Sequence, residues 1–332
     1  MNTPDTAQEI IRMLEQNYAG YQDKYSKYQT EILNARMQLL ESSNEPVELD
    51  QAIRTYLAAF HEGHIRLDSQ YTRQHSAAQP NMSYSPRLKL SNDWIWLTIP
   101  SFDDRWRDKI KDLLAEHQAE IIDGRTLVID LRENSGGSDE SYSALLPFVM
   151  SGAFQITGMQ VLSTPDNIKA WEALPHQFPD MSDETKAQVH SLTENMSAHP
   201  KQFVNMGDSL SYTIPPEEFG GVQKNPSKVI VIQSKKTASS AEQFLLAAKQ
   251  SHKVVRIGEN SAGVLDYANM RQFDLASGHR TLWLGTTRSL RVSQGLGIDE
   301  IGIVPDIKLD HDTLFNDDVL EMAIRSHIAK KL

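Results

Sequence analysis

The chain is expected to form an α/β fold in which a mostly parallel sheet is assembled from βαβ units, and three segments carry that expectation. "RTLVIDLRENSGG" runs an apolar strand into a Gly-Gly turn, followed by "SDESYSALLPFVM", which reads as a capped helix. "SKVIVIQS" leads into "SAEQFLLAAKQ" in the same strand-turn-helix order, and "HKVVRIGENSAG" supplies a third strand. Short apolar runs that alternate with helices point to parallel strands. Active groups in such sheets gather where strands end and helices begin.

Taken in order, residues 1–70 read as a helical N-terminal domain: Ile53, Leu57 and Phe60 repeat at helical spacing on one face, and the layer ends at "FHEGHIRLD". Residues 71–93 read as a linker, and the α/β core is expected over 94–310, starting at "DWIWLTIPSF". Within the core, about 152–226 breaks the rhythm, holding seven of the fourteen prolines, and is expected to be a helical insertion placed as a lid over the sheet ends. "YANMRQFDLASGHRTLWLGTT" predicts a hairpin turning at Ser277 and Gly278, and 311–332 a C-terminal helix.

Composition narrows the function. The 332 residues carry 39% hydrophobic and 23% charged side chains, as an ordinary globular protein does, and the formal net charge is −11. Such an acidic chain is a poor match for nucleic acid, which needs clustered Lys and Arg. A small or peptide-like partner is easier to accommodate, and a homo-oligomer is compatible with the sequence. There is no cysteine, so disulfides, thiolate chemistry and Cys-ligated zinc are excluded. No apolar run reaches the length of a membrane span. The start "MNTPDTAQEI" has no basic and apolar leader, which predicts either a cytoplasmic chain or one whose signal peptide has been removed.

The stretch "KKTASSAEQF" places Ser239 and Ser240 side by side between strand and helix. One reading is purely structural: Ser239 followed three residues later by Glu242 is a capping box. The other is chemical, because a serine at a helix start on the open end of a parallel sheet has free backbone N–H groups and the helix dipole at hand for an oxyanion. Gly136 and Gly137 close a neighbouring strand, where their amides could supply a second donor. Neither fits a phosphate loop, since GxGxxG and GxxxxGK are both absent.

"LVIDLRENSGG", "IVIQSKKTASSAEQF", "RIGENSAG" and "DEIGIVPDI", in this order, resemble the core of the tail-specific (C-terminal processing) serine peptidases, and "EGHIRL" resembles that family's "DGHxxL". The resemblance spans roughly Trp94 to Asp310 and implies a ClpP/crotonase-like core without cofactor or metal. Laid over the family pattern, Ser239 is the implied nucleophile, and the backbone N–H of Ser240 joins Gly136 or Gly137 in the oxyanion hole. The family also implies a periplasmic or extracellular setting.

Two departures refine this. Where Ser/Lys members carry their lysine, 25 residues after the serine, this chain has Val264. Members resembling the tricorn core protease use a histidine instead, and the histidine that fits is His64, with a late acid at Asp299 or the adjacent Glu300. Asp299 is preferred, because neighbouring side chains face opposite ways. Further, about 25 residues separate "HIRLD" from "DWIWL", too few for the PDZ domain found in many members, since a domain needs at least about 50.

Other readings stand beside these. His61 and His64 in "HEGH" lie three apart with a glycine between them, unlike the zinc motif HExxH, and His61 is read as structural. Asp130 and Arg132 are read as an ion pair below the turn. Alternatives to a peptidase are a peptide- or lipid-binding protein with a decayed site, and an esterase or lactam hydrolase sharing the acyl chemistry.

Overall fold

The computed structural model describes residues 3–43, 45–71, 84–207 and 209–329. The chain divides into two compact units. One contains residues 80–156, 212–265 and 298–332; the other contains 1–79, 157–211 and 266–297.

The first unit is built on a sheet with the spatial order Ile307–Lys308, Val254–Gly258, Val229–Gln233, Thr126–Asp130, Trp94–Thr98 and Arg87–Leu90. Neighbours run parallel except Arg87–Leu90, which pairs antiparallel with Trp94–Thr98. That edge strand lies in the segment expected to be a linker, of which residues 72–83 lie outside the described residues. Alternate side chains enter opposite cores. Ile95, Leu97, Leu127, Ile129, Val229 and Val231 pack with Phe102, Leu145 and Phe244. Trp94, Trp96, Val128, Ile230 and Ile232 pack with Leu314, Leu320 and Ile324 of the C-terminal helices His311–Leu314 and Asp317–Ala329. A sheet covered on both faces needs nearly unbroken apolar strands, which is why "TLVID" and "VIVIQ" lack polar alternation.

The segment after the Gly-Gly turn is less regular than the capped helix expected there. Ser138 caps it by accepting the Glu140 N–H, but Asp139–Leu145 winds as a 3-10 helix and only Leu146–Val149 is α-helical. Pro147 lacks the N–H that a continuous helix would use. Asp130 and Arg132 do form an ion pair, with Nε–Oδ1 at 3.0 Å and Nη2–Oδ2 at 2.7 Å, and Arg132 Nη1 also donates to the Leu314 carbonyl.

The second unit is organised by an antiparallel sheet, ordered Arg66–Ser69, Arg280–Ser289, Met159–Leu162 and Phe203–Asn205, with Tyr267–Asp274 also paired to Arg280–Ser289. The hairpin turns as expected: Asp274 faces Thr281, and Gly278 takes φ +67°. Helices Thr3–Asn17, Tyr21–Leu40 and Pro46–Ala58 bury Ile10, Leu14, Ile32, Leu39 and Ile53, with Phe60 from the turn after the third, in one cluster with Leu282, Leu284 and Phe273. The N-terminal helices are therefore not a separate domain, because their apolar faces share one core with this sheet. The expected helical insertion is likewise corrected. It contains the strands Met159–Leu162 and Phe203–Asn205 beside the helices Pro165–Glu172 and Asp183–Ala198, and Trp171, Val189, Met196, Val161 and Val204 give it a core of its own. Among the described residues, no helix is long and apolar enough to cross a membrane.

A buried ion pair fastens helix to sheet in this unit: Arg280 Nε lies 2.6 Å from Asp50 Oδ1, with side chains 5% and 1% exposed. Removing one partner strands the other charge, so Asp50→Ala should destabilise the protein by about 3–5 kcal/mol. Urea unfolding should show a lower midpoint with an unchanged slope; a midpoint equal to that of the wild type would refute the role given to the pair.

Candidate active site

Ser239 sits between the strand Val229–Gln233 and the helix Ser240–Ala248 with φ 57° and ψ −123°. A non-glycine residue held there stores about 1–3 kcal/mol of strain and persists only when its surroundings over-determine it. Strand-turn-helix serines present their hydroxyl at the top of the sheet in α/β-hydrolases. The approach is fixed by polar contacts: Thr237 Oγ1 donates to the Leu131 carbonyl at 2.8 Å, and the Ala238 N–H donates to the Asn134 carbonyl at 3.0 Å.

The same contacts bring the Gly-Gly turn against the serine. Gly136 and Gly137 have φ +101° and +145°, and a Cβ placed on Gly136 would lie 2.7 Å from Ser239 Cβ and 3.2 Å from Ser240 N. Only glycine admits this approach. The two glycines are not equivalent as donors. Asn134, fully buried, accepts the Gly136 N–H on Oδ1 at 2.9 Å and donates through Nδ2 to the Ile99 carbonyl at 3.1 Å. The expectation that either amide could serve therefore narrows to Gly137, whose N–H makes no hydrogen bond among the described residues. Gly136 supplies close approach, not a donor. The Ser240 N–H, first in the helix, is likewise uncommitted, and its buried Oγ has no hydrogen-bond partner among the described residues.

Glu242 holds this turn from behind. Its carboxylate is fully buried and accepts the Ser239 N–H at 3.2 Å and the Val264 N–H at 3.0 Å on Oε2. Oε1 accepts the Gly263 N–H at 2.7 Å and the Ser261 hydroxyl at 2.6 Å. Burial raises the carboxyl above its ordinary value, while these hydrogen bonds pull it back down. The loop 261–264 in turn carries the late acids. A Cβ on Gly263 would lie 2.7 Å from the Ile298 carbonyl oxygen and 2.8 Å from Glu300 N, and the Glu300 N–H donates to the Gly263 carbonyl at 2.9 Å. Glu300 is exposed with φ +67°, whereas Asp299 is half-buried.

His64 belongs to the other unit. Its Nδ1 lies 3.0 Å from the Tyr267 carbonyl oxygen, which can only accept, so Nδ1 carries the proton and Nε2 is left as the basic lone pair. Burial pushes the imidazole below its ordinary value, only partly offset by the Tyr267 hydrogen bond, and the Arg66 charge acts in the same direction as burial. His61 is exposed, pairs with Glu31 at 2.9 Å and packs on the Tyr28 ring, which agrees with a structural role.

The sequence model of peptidase family S41 matches residues 95–309. The chain belongs to peptidase family S41. It is accordingly a serine peptidase, and solved structures agree at the level of the fold. Mature CPAF complexed with lactacystin aligns at 11% identity over 98% of this chain and 97% of that one, with a TM-score of 0.65. The photosystem II D1 C-terminal processing protease aligns at 12% identity over 93% and 94%, with a TM-score of 0.51. The tricorn protease aligns at 11% identity over 99% of this chain and 37% of its own, with a TM-score of 0.53. No curated protein matches in sequence.

Within this S41 chain, the structure gathers Ser239, Ser240, Gly136, Gly137 and the Asp299–Glu300 turn in one unit, and builds His64 in the other. Sequence reasoning missed two members of the serine's setting. Asn134 stands two residues before Gly136 in "ENSGG" and could have been noticed as an Asx turn. Glu242 was visible only as a capping residue, and nothing in the spacing announces its contacts with 261–264.

Glu242→Gln must turn an NH2 group toward N–H donors that face the carboxylate. Tm should drop by several degrees, equivalent to about 2 kcal/mol, from lost charge-assisted hydrogen bonds. Labelling of the chain by a fluorophosphonate should slow at least ~10-fold as the Ser239 turn loosens. Wild-type Tm and labelling rate in this variant would show that the carboxylate does not hold the turn.

Proposed function

We propose that this S41 peptidase hydrolyses peptide bonds in peptides or at protein C-termini through Ser239 as nucleophile and His64 as general base. The observation that carries the reading is the strained backbone of Ser239 beside a Gly-Gly turn with one uncommitted amide. In this mechanism His64 Nε2 takes the Ser239 hydroxyl proton as Oγ attacks the scissile carbonyl. The oxyanion is received by the N–H groups of Gly137 and Ser240. The imidazolium then gives its proton to the leaving amine, and water repeats the sequence on the acyl-enzyme. Asp299, or Glu300 beside it, supports the site as its acid. Neither Lys235 nor Lys236 is a suitable base, since both are exposed and ion-paired, to Glu259 and Glu133. By family resemblance the mature enzyme acts in the periplasm or outside the cell.

Fluorophosphonate labelling separates the two serines. Ser239→Ala should abolish it, whereas Ser240→Ala should retain most of it, because only the backbone N–H of residue 240 is used and its hydroxyl has no hydrogen-bond partner among the described residues. Equal loss in both folded variants would place the nucleophile elsewhere.

The pH profile tests the base. A neutral imidazole is needed to accept the proton, and burial disfavours the charged form. Hence kcat/KM should rise with pH through one ionisation lying below the ordinary histidine value of about 6.5, then stay level. His64→Gln should lose that limb and fall at least ~1000-fold. Near-normal turnover in His64→Gln would exclude the mechanism and leave the fold assignment intact.

A further inference from the structure

A buried carboxylate stands beside His64 within the histidine's own unit. Glu62 Oε1 accepts the His64 backbone N–H at 3.0 Å and lies 3.9 Å from His64 Nδ1, with the Glu62 side chain fully buried. Its other oxygen accepts the hydroxyl of Tyr18 at 3.0 Å. Tyr18 follows the first helix, is 1% exposed, and is wedged edge-on between the rings of Phe60 at 6.1 Å and Tyr267 at 5.7 Å. The fit depends on Gly20, where a Cβ would lie 2.3 Å from the Tyr18 hydroxyl oxygen and 2.9 Å from the Tyr267 ring. Tyr267 in turn supplies the carbonyl that fixes the His64 tautomer and donates its own hydroxyl to Asp23 at 2.9 Å.

We propose that Glu62, fixed by Tyr18, is a positioning residue for the general base: it anchors the His64 backbone and its charge stabilises the imidazolium formed when His64 accepts the serine proton. This rests on the reading of His64 as base. The Tyr267 carbonyl orients the ring but carries no net charge, and burial opposes the positive form. Of the other charged groups around the ring, Arg66 opposes protonation. Lys24, whose Nζ donates to the His61 carbonyl at 3.3 Å and lies 5.7 Å over the Tyr267 ring, adds positive charge, and Asp23 is engaged by the Tyr267 hydroxyl and by Arg288. Glu62 therefore supplies negative charge within ion-pair reach of the imidazole. The proton moves from Ser239 Oγ to His64 Nε2, Nδ1 keeps its own, and no proton passes to Glu62. The N-terminal helices then serve catalysis through Tyr18.

The experiment follows the His64 Cε1 proton by NMR, identified by its absence in His64→Gln, and measures kcat and KM against pH for a peptide substrate. Glu62→Gln keeps an oxygen acceptor and removes the charge. The imidazole midpoint should fall by about one pH unit, and kcat should fall at least ~10-fold with KM changed less than about threefold. Tyr18→Phe, which keeps the ring, should move both readouts the same way by less, and Glu62→Asp should recover part of the loss. An unchanged midpoint in Glu62→Gln overturns the inference while an inactive His64→Gln leaves the base reading standing. Near-normal activity in His64→Gln overturns both. Should Glu62→Gln fail to fold, an unchanged midpoint in Tyr18→Phe overturns the inference.

Discussion

The Glu242 carboxylate is fully buried, yet it accepts hydrogen bonds from four donors drawn from two stretches of chain: the Ser239 amide on one side, and Ser261, Gly263 and Val264 on the other. An isolated carboxylate at this depth would cost several kcal/mol, and three of its partners are backbone N–H groups that cannot reverse their polarity. The arrangement is therefore self-consistent only when all of these amides point inward. That requirement fixes the first turn of the helix after Ser239, the loop 261–264, and through Gly263 the turn that carries Asp299 and Glu300. The Ser261 hydroxyl extends the chain of contacts by accepting the Ile303 N–H at 2.6 Å.

With that anchor in place, the strain at Ser239 becomes intelligible. Folding alone would gain by relaxing φ 57° to an ordinary helix cap, and the cost of not relaxing is about 1–3 kcal/mol. Asn134 and Thr237 hold the turn from the strand side, Glu242 from the helix side, and Gly136 removes the side chain that would otherwise collide with Ser239. His64 is likewise held in the other unit, where a carbonyl sets the tautomer and burial disfavours the charged form of the ring. Each of the two residues is thus held by the packing of its own unit.

The parallel core was legible because strands buried on both faces must be continuously apolar, and "TLVID" and "VIVIQ" satisfy no other arrangement as well. Ser239 was legible as the candidate nucleophile through the resemblance of "TASSAE" to the family pattern, since the strand-to-helix position by itself reads equally as a helix cap. What could not be read was everything decided by contacts far apart in sequence. The N-terminal helices looked self-contained, since an amphipathic face does not say which surface covers it; here Leu282 and Leu284, more than two hundred residues away, do so. The prolines of 152–226 suggested a coreless insertion, but Trp171 and Met196 close a small core there. The choice between Gly136 and Gly137 turned on the side chain of Asn134, which spacing alone leaves undetermined.

Val264 stands where Ser/Lys relatives place their base, and the contacts around it explain how the position survives without a lysine. The backbone N–H of residue 264 is held by Glu242, together with that of Gly263, so the loop's path is set by main-chain atoms. Its geometry does not require an ammonium group, and an apolar side chain at 264 adds no buried charge beside the Glu242 carboxylate. The loop can therefore support the Ser239 turn without contributing a base, and in the proposed mechanism the proton acceptor is the imidazole of His64, whose tautomer is fixed in the other unit. The Ser239 turn therefore does not require a lysine at 264, because the part of the loop on which it depends is its backbone.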